Sequence, residues 1–364
     1  MNKKLKLILK ITLEVIIVLF VIVGSYFAYV FISYHRIEDN FKLEATGNAN
    51  NTEFSKDEIY TAMTYNLGYG AYSQDYTFFM DGGKEVSARS LEEAQGNIKS
   101  AVEIIKNESP DLIALQEIDL DAKRTYYDDQ SILIENEFPN YQVVEAINYD
   151  SSFLFYPILD PIGNSISEIM TLSNRNINNP VRRSLPISDK GLDKFFDLDR
   201  CYTFSEIQVN DGKKIYFYNL HLSAYGAESD VKYNQVKMLL SDMQKHYDDG
   251  HYVIACGDFN TDILGNSVEK YNGTTTELGW AQPFPTELLS DNFELLTTYD
   301  EGCEFPTTRA NDIPFDPNNP EASFRVLIDG FIVSDNIDVI SQKVINTEYN
   351  YSDHLPVVLK FGFK

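Results

Sequence analysis

The longest hydrophobic stretch of the chain lies near its start. Residues 15–32 are apolar except for Gly24, Ser25, Tyr26 and Tyr29, and residues 5–13 are mostly apolar too. As a helix, residues 15–32 at about 1.5 Å each reach roughly 27 Å, close to the ~30 Å hydrocarbon layer of a bilayer. Lys3, Lys4, Lys6 and Lys10 precede the run. Basic residues on that flank predict a single-pass transmembrane anchor over residues 1–36, in the cell membrane, with a cytoplasmic N-terminus and an extracellular domain. A cleaved signal peptide is the rival reading. Its apolar core spans about 7–15 residues and ends in a small-x-small site, and residues 26–30 (YFAYV) offer none. The four lysines argue against a buried core helix.

Residues 37–58 are polar and lack periodicity, which predicts a flexible linker. No internal repeat or second linker follows, so residues 59–364 read as one domain. Residues 60–66 (YTAMTYN) read as a strand that runs into a turn at Gly68 and Gly70. Residues 87–106 place Ile98, Ala101, Val102 and Ile105 at helical spacing, and Pro110 stops that helix. Residues 111–116 (DLIALQ) read as a short buried strand. Further strands, many rich in Val, Ile, Tyr and Phe, are predicted over 141–147, 166–172, 202–209, 214–222, 252–256, 326–334 and 355–361. Residues 231–247 predict a helix with Val236, Leu239, Leu240 and Met243 on one face. Many strands with occasional crossover helices predict an α/β domain of two packed sheets flanked by helices.

Composition narrows the function classes. Hydrophobic residues make up 43% and aromatics 13%, which excludes a disordered chain. Of 30 basic and 55 acidic residues, five bases and one acid fall in residues 1–36, so the remainder holds 25 and 54, a net of −29. A domain that acidic disfavours polyanions, nucleic acid and anionic lipid alike. Three cysteines exclude a disulfide scaffold, and the absence of a CxxC pair argues against a cysteine zinc site. Cys256 reads as a buried strand residue. Cys201 and Cys303 could pair outside the cell, but nothing in the sequence shows that they do.

The informative pattern is what sits at the ends of the apolar strands. Asn66 ends the first, Glu117 follows Leu115-Gln116, and His221 follows Asn219-Leu220. Gly257-Asp258-Phe259-Asn260 follows an apolar strand, Asp329 interrupts another, and Ser352-Asp353-His354 precedes the last. Unpaired charges at such positions would be expensive. Any one of these reads as an ordinary loop, turn or satisfied histidine; the six together do not. Converged, they supply hard oxygen ligands for Mg²⁺ or Mn²⁺, two imidazoles and two side-chain amides, the equipment for metal-assisted hydrolysis of a phosphate ester. His35, His246 and His251 lie in no such segment and read as structural.

In this order the segments closely resemble the endonuclease/exonuclease/phosphatase superfamily, the deoxyribonuclease I-like fold, from Asn66 to His354. GDFN and SDH together carry the resemblance; LQE alone would be weak. The resemblance implies a four-layered α/β/β/α sandwich of two mixed sheets, with the site between their upper edges. It implies Glu117 as the principal Mg²⁺ ligand, helped by Asn66, with Asp353 a second or water-bridged ligand. Asp258 would orient or deprotonate the attacking water, Asn260 would hold a phosphoryl oxygen, and His221 would contact the phosphate opposite. Asp329 would fix the tautomer of His354 and favour its protonated form. The general base stays open between Asp258 and the Asp329–His354 pair. Arg124, seven residues past Glu117, resembles a family position and is a candidate for binding substrate.

Arg182 and Arg183 form the longest basic cluster of the domain and are candidates to clamp a phosphate; an exposed pair making surface contacts is the alternative. Tyr72, Tyr76, Phe78 and Phe79 offer either an apolar rim for a lipid or ring-bearing substrate, or a packed loop. Three functions stay open. The first is a membrane-anchored Mg²⁺-dependent phosphoesterase acting on a small phosphoester or phospholipid head group. The second is an extracellular metal-dependent nuclease, disfavoured by the acidic charge. The third is a non-catalytic binding module, disfavoured because every motif residue is present. No protein partner is inferred.

Overall fold

A computed structural model describes residues 3–188, 199–224, 229–271 and 281–364. Helix α1 (Lys3–Ser33) exposes nearly all of its apolar length, and it is long and apolar enough to cross a membrane. Two mixed sheets follow. The first holds β1 (Tyr60–Asn66), β2 (Leu112–Ala122), β3 (Gln142–Leu154), β4 (Gly163–Ser173), β11 (Ile337–Val344) and β12 (Val357–Phe363), in the order β11-β12-β1-β2-β4-β3. The second holds β5 (Ile177–Ser184), β6 (Cys201–Val209), β7 (Lys214–His221), β8 (Tyr252–Asp258), β9 (Phe293–Leu295) and β10 (Asp329–Ser334), in the order β5-β6-β7-β8-β10-β9.

Each sheet has a central parallel pair joined through a helix, because parallel neighbours need a long crossover. Helix α2 (Leu91–Glu108) joins β1 to β2, and α4 (Ser229–Asp248) joins β7 to β8. Helix α2 starts where Ser90 Oγ accepts the Glu93 amide at 3.0 Å, a cap of about 1 kcal/mol. It buries Ala94, Ile98, Ala101, Val102 and Ile105. Those side chains pack with Met63, Ile113 and Leu115 on the outer face of the first sheet, joined by Ile134 of α3 (Gln130–Glu137). Val236, Leu239 and Met243 of α4 pack on Tyr218, Val253 and Ala255 of the second sheet. The inner faces meet through Ala62, Leu112, Ile215, Phe217, Ile254, Phe331 and Leu359. The alternation along each strand therefore yields four layers, α/β/β/α.

Several sequence expectations change. Residues 37–58 are not a free tether. Phe41–Lys42 pairs with β5, Thr46–Gly47 with β3 and Glu53–Phe54 with β6. Phe54 is fully buried in the inter-sheet core. Backbone pairing at exposed sheet edges needs no apolar periodicity, so composition alone could not show it. Arg182 and Arg183, the candidate phosphate clamp, lie in strand β5. The strand expected over 111–116 continues to Ala122, and β11 and α3 were not anticipated. Residues 326–334 split: Arg325–Val326 pairs with Thr308–Arg309, and β10 begins at Asp329.

Candidate active site

Three adjacent strands of the second sheet put their polar ends in one row. His221 ends β7, Asp258 ends β8 and Asp329 begins β10, and the registers set His221 beside Asp258 and Asp258 beside Asp329. This row requires β7 and β8 to run close together. Gly257, at φ +146°, permits it, since a Cβ there would lie 2.0 Å from the Leu220 carbonyl oxygen. The first sheet contributes Asn66 from the end of β1 and Glu117 from β2. The ladder between β2 and β4 breaks between Leu115 and Ile118, and Glu117 sits at φ +59°. Such a bulge re-aims a side chain. Gln116 is buried and donates to Asn219 Oδ1 at 2.8 Å, while Glu117 borders the cleft. The segment before β12 brings Asp353 and His354.

Glu117, His221, Asp258, Asn260, Asp353 and His354 line a cavity of about 380 Å³. His354 Nδ1 donates to Asp329 Oδ2 at 2.8 Å, and its Nε2 lies 3.9 Å from Asp258 Oδ2. Burial opposes a charge on this ring, but Asp329, then Asp353 and Asp258, hold its pKa well above the usual value. His221 behaves oppositely. Burial, with Arg200 and His354, pushes it well below the ordinary imidazole value. The Asn148 amide nitrogen lies 3.1 Å from His221 Nδ1 and can only donate, so the neutral ring carries its proton on Nε2. That atom is 3.7 Å from Glu117 Oε1 and 3.6 Å from Asp258 Oδ2.

Asp258 accepts from Asn66 Nδ2 at 3.1 Å and from the Asn260 amide at 2.8 Å. Burial and Asp329 nevertheless push its pKa up to about 7. Burial, Asp353 and Asp258 push Glu117 up to about 8. Carboxylates that crowd one another around a cavity are a donor set whose repulsion a divalent cation relieves. Glu117, Asp353 and Asp258 fit that need by chemistry, and all are hard oxygen donors. Among the described residues, Asp258, Asp329 and His354 form a cluster with ligand atoms within 4.8 Å of one another. Within that trio His354 Nδ1 donates to Asp329 Oδ2, while Asp329 Oδ1 has no hydrogen-bond partner among the described residues.

The expected residues divide clearly. Arg124 borders the cavity, where Asp119 grips it through two bonds of 2.8 and 2.7 Å and Tyr69 lies under its guanidinium at 3.3 Å. Asn66 is fully buried beneath the cleft, with its amide turned to Asp258 and its oxygen accepting from Gly68. Arg182 and Arg183 are not at the cleft. Arg182 is 1% exposed and donates to the Ile147 and Asp199 carbonyls and Ser184 Oγ. Arg183 pairs with Asp39 and Asp242. Sequence shows a guanidinium but not the backbone carbonyls that will take it up. Of the aromatics, Tyr72 and Phe78 border the cavity, Tyr76 is fully buried and Phe79 stacks edge-on against Phe78. Sequence reasoning missed Asn148, Arg200, Arg309 and Asn311. Asn311 donates to Asp353 Oδ2 at 2.6 Å, and buried Arg309 donates to the Ser73 and Tyr76 carbonyls, pinning the aromatic loop. Asn148 and Arg200 border the strands expected over 141–147 and 202–209, so the strand-end signal could have found them, whereas Arg309 and Asn311 border no expected strand. The three cysteines are free, so the open Cys201–Cys303 pairing is not formed.

Residues 63–354 match the Endonuclease/Exonuclease/phosphatase family, and the chain belongs to it. It is accordingly a hydrolase acting on phosphoester bonds, in a family that typically depends on a divalent metal. No curated protein matches the sequence. Among solved structures, an endonuclease/exonuclease/phosphatase from Beutenbergia cavernae DSM 12333 is 17% identical with a TM-score of 0.55, covering 84% of this chain and 72% of that one. The 2',3'-cyclic phosphatase ANGEL2 is 18% identical with a TM-score of 0.54, covering 88% and 98%. TDP2 from D. rerio, solved with a single-strand DNA product, is 14% identical with a TM-score of 0.53, covering 84% and 100%. At these identities the likeness is one of fold.

Proposed function

We propose that this chain is a membrane-anchored phosphoesterase, dependent on Mg²⁺ or Mn²⁺, whose catalytic domain faces the outside of the cell and hydrolyses a small phosphoester or a phospholipid head group. The observation that carries the reading is the row His221–Asp258–Asp329, of which His221 and Asp258, with His354 and Glu117, open onto one cavity. Glu117 and Asp353 would hold the metal, and Asn66, expected beside it, acts instead by holding Asp258. When bound, the ion neutralises charge on a phosphoryl oxygen.

The remaining chemistry belongs to the side chains. Asp258, with a pKa near neutrality and both oxygens oriented by Asn66 and the Asn260 amide, is suited to take a proton from the attacking water. His354, kept protonated by Asp329, is suited to stabilise the negative charge that builds on phosphorus. His221 offers its Nε2–H from the opposite side, and Asn260 stands next to Asp258 to hold a phosphoryl oxygen. Arg124, locked by Asp119, presents a fixed positive charge at the rim.

The anchor reading is supported by the exposed apolar helix α1 and the four lysines Lys3, Lys4, Lys6 and Lys10 at its N-terminal end. The net charge of −29 over residues 37–364 supports a small ester or lipid over nucleic acid. Phosphorus NMR of the full chain in detergent micelles with Mg²⁺ tests the substrate class. A DNA duplex, a phospholipid and a sugar phosphate are presented together, with Asp258→Ala protein as control. Loss of the lipid or sugar signal with DNA intact is expected. Loss of the DNA signal alone would make the enzyme a nuclease.

A further inference from the structure

The hairpin joining β3 to β4 carries a run of exposed apolar side chains. Phe155, Tyr156, Ile158 and Leu159 are 46%, 65%, 76% and 99% exposed. The one charge in this tip, Asp160, is paired with Lys123 at 2.5 Å. Exposed apolar clusters of this kind mark surfaces that meet protein or membrane.

The position of the hairpin says which. Strand β3 leaves the domain alongside the last turns of α1, running against it. His35 Nε2 meets Asp150 at 3.1 Å, and Ser33 Oγ meets Ser152 Oγ at 2.5 Å. Further back along α1, Tyr29 Oη accepts the Phe153 amide at 3.3 Å, and Tyr26 Oη donates to the Phe153 carbonyl at 3.1 Å. The Tyr26 ring meets Phe155 edge-on at 4.5 Å. Tyr26 lies seven residues before Ser33, about 10 Å along the helix axis, and inside the apolar run 15–32. The exposed tip therefore begins at a depth where the anchor itself is lipid-exposed. Tyrosines gathered at this level, on α1 and on the hairpin, suit a head-group region.

The same hairpin also walls the active-site cavity. Leu154 and Ile162 line it, as do Phe78 and the half-exposed Met80. Phe79 of that loop meets Tyr156 of the tip at 5.9 Å between ring centroids. The apolar wall of the cleft is thus continuous with the tip that lies against the anchor.

We propose that the β3–β4 hairpin is a second membrane contact, seated in the leaflet that holds the C-terminal end of α1, and that the substrate is a phosphate-ester lipid of that leaflet. The apolar wall receives the lipid body while its phosphate reaches His221 and Asp258. Hydrolysis adds one water across a P–O bond: the water oxygen bonds to phosphorus, and the ester oxygen leaves, protonated, as an alcohol. The substrate half of this proposal rests on the phosphoesterase reading above, and the membrane contact on the anchor reading of α1.

The test uses the full chain in phospholipid nanodiscs. For the contact, Leu159→Trp is made with Trp280→Phe, the chain's single tryptophan, which lies outside the described residues. Blue-shifted emission quenched by bromolipids is expected. Solvent-like emission that bromolipids do not quench overturns the contact. For the substrate, phosphatidylcholine and phosphatidylglycerol discs are compared with the soluble diester bis(4-nitrophenyl) phosphate. The triple variant Phe155→Ser, Ile158→Ser, Leu159→Ser should lose roughly tenfold or more on a lipid, as apolar contact area is lost, and stay within about twofold on the soluble ester. Unchanged lipid turnover, or equal loss on both, overturns the proposal. Wild-type protein that cleaves the soluble ester but no lipid overturns the substrate half. Turnover of neither defeats the phosphoesterase reading instead, and bromolipid quenching still decides the contact.

Discussion

Gly257→Ala tests whether the close approach of β7 and β8 builds the site. The added Cβ would lie 2.0 Å from the Leu220 carbonyl oxygen and 2.9 Å from Leu220 C and N, all backbone atoms that cannot rotate aside. Reaching ordinary contact means parting the strands by about 1 Å. Overpacking costs about 1–3 kcal/mol, and a non-glycine residue at φ +146° adds strain of order 1–3 kcal/mol. A loss of about 3 kcal/mol corresponds to roughly 4–5 °C in melting temperature for a domain of this length. The shift also moves Asp258 relative to His221, and a ~1 Å misplacement costs about 10² in rate. Gly330→Ala is the control. Gly330 pairs directly with Gly257, but its Cβ would meet only the Ile263 Cδ1 tip at 2.7 Å, which a rotamer change relieves. That variant should lose about 1 kcal/mol or less. Melting of the full chain in detergent, followed by circular dichroism, and turnover of a soluble diester measure both effects. Gly257→Ala that melts like wild type and keeps a third of its activity would refute the reasoning.

Phe54→Ala should cost about 3–5 kcal/mol, because Phe54 is fully buried against Tyr60 and Phe363; a melting temperature unchanged from wild type would mean that residues 37–58 are a tether after all. His246 stacks on Tyr216 at 3.6 Å, and burial, aided by Lys245, holds its pKa down to about 4. The unfolded chain therefore takes this proton first, near pH 6.5, so stability present above that value is lost as pH falls toward 4. Allowing for its partial exposure, His246→Gln should remove about 1–2 kcal/mol of that pH dependence, read as the difference in urea midpoint between pH 7 and pH 4.5; equal slopes for both proteins would contradict it.

The row of polar strand ends was legible because it obeys a rule visible in one dimension. His221, Asp258 and Asp329 are polar residues abutting apolar strands, and strands of one sheet bring their ends together. The parallel β7–β8 pair follows from the helix between them, whose apolar face at Val236, Leu239 and Met243 could be read directly. What escaped depended on partners far along the chain. Asn148 lies within a strand 73 residues before the His221 ring it orients. Arg182 reads as a free charge until the Ile147 and Asp199 carbonyls are seen to enclose it. Residues 37–58 are held by edge hydrogen bonds and one buried ring, and neither leaves a periodic trace.

The central claim is that this site hydrolyses a phosphate ester through Asp258 with a divalent metal. The most direct measurement is turnover of bis(4-nitrophenyl) phosphate by the full chain in detergent, for wild type and Asp258→Asn, with Mg²⁺, with EDTA, and with Mg²⁺ restored. Losing the proton acceptor should lower the rate by about 10²–10⁴ while the melting temperature holds, and EDTA should abolish turnover until Mg²⁺ is returned. An Asp258→Asn protein that keeps most of the wild-type rate, or a wild type indifferent to EDTA, would contradict the account.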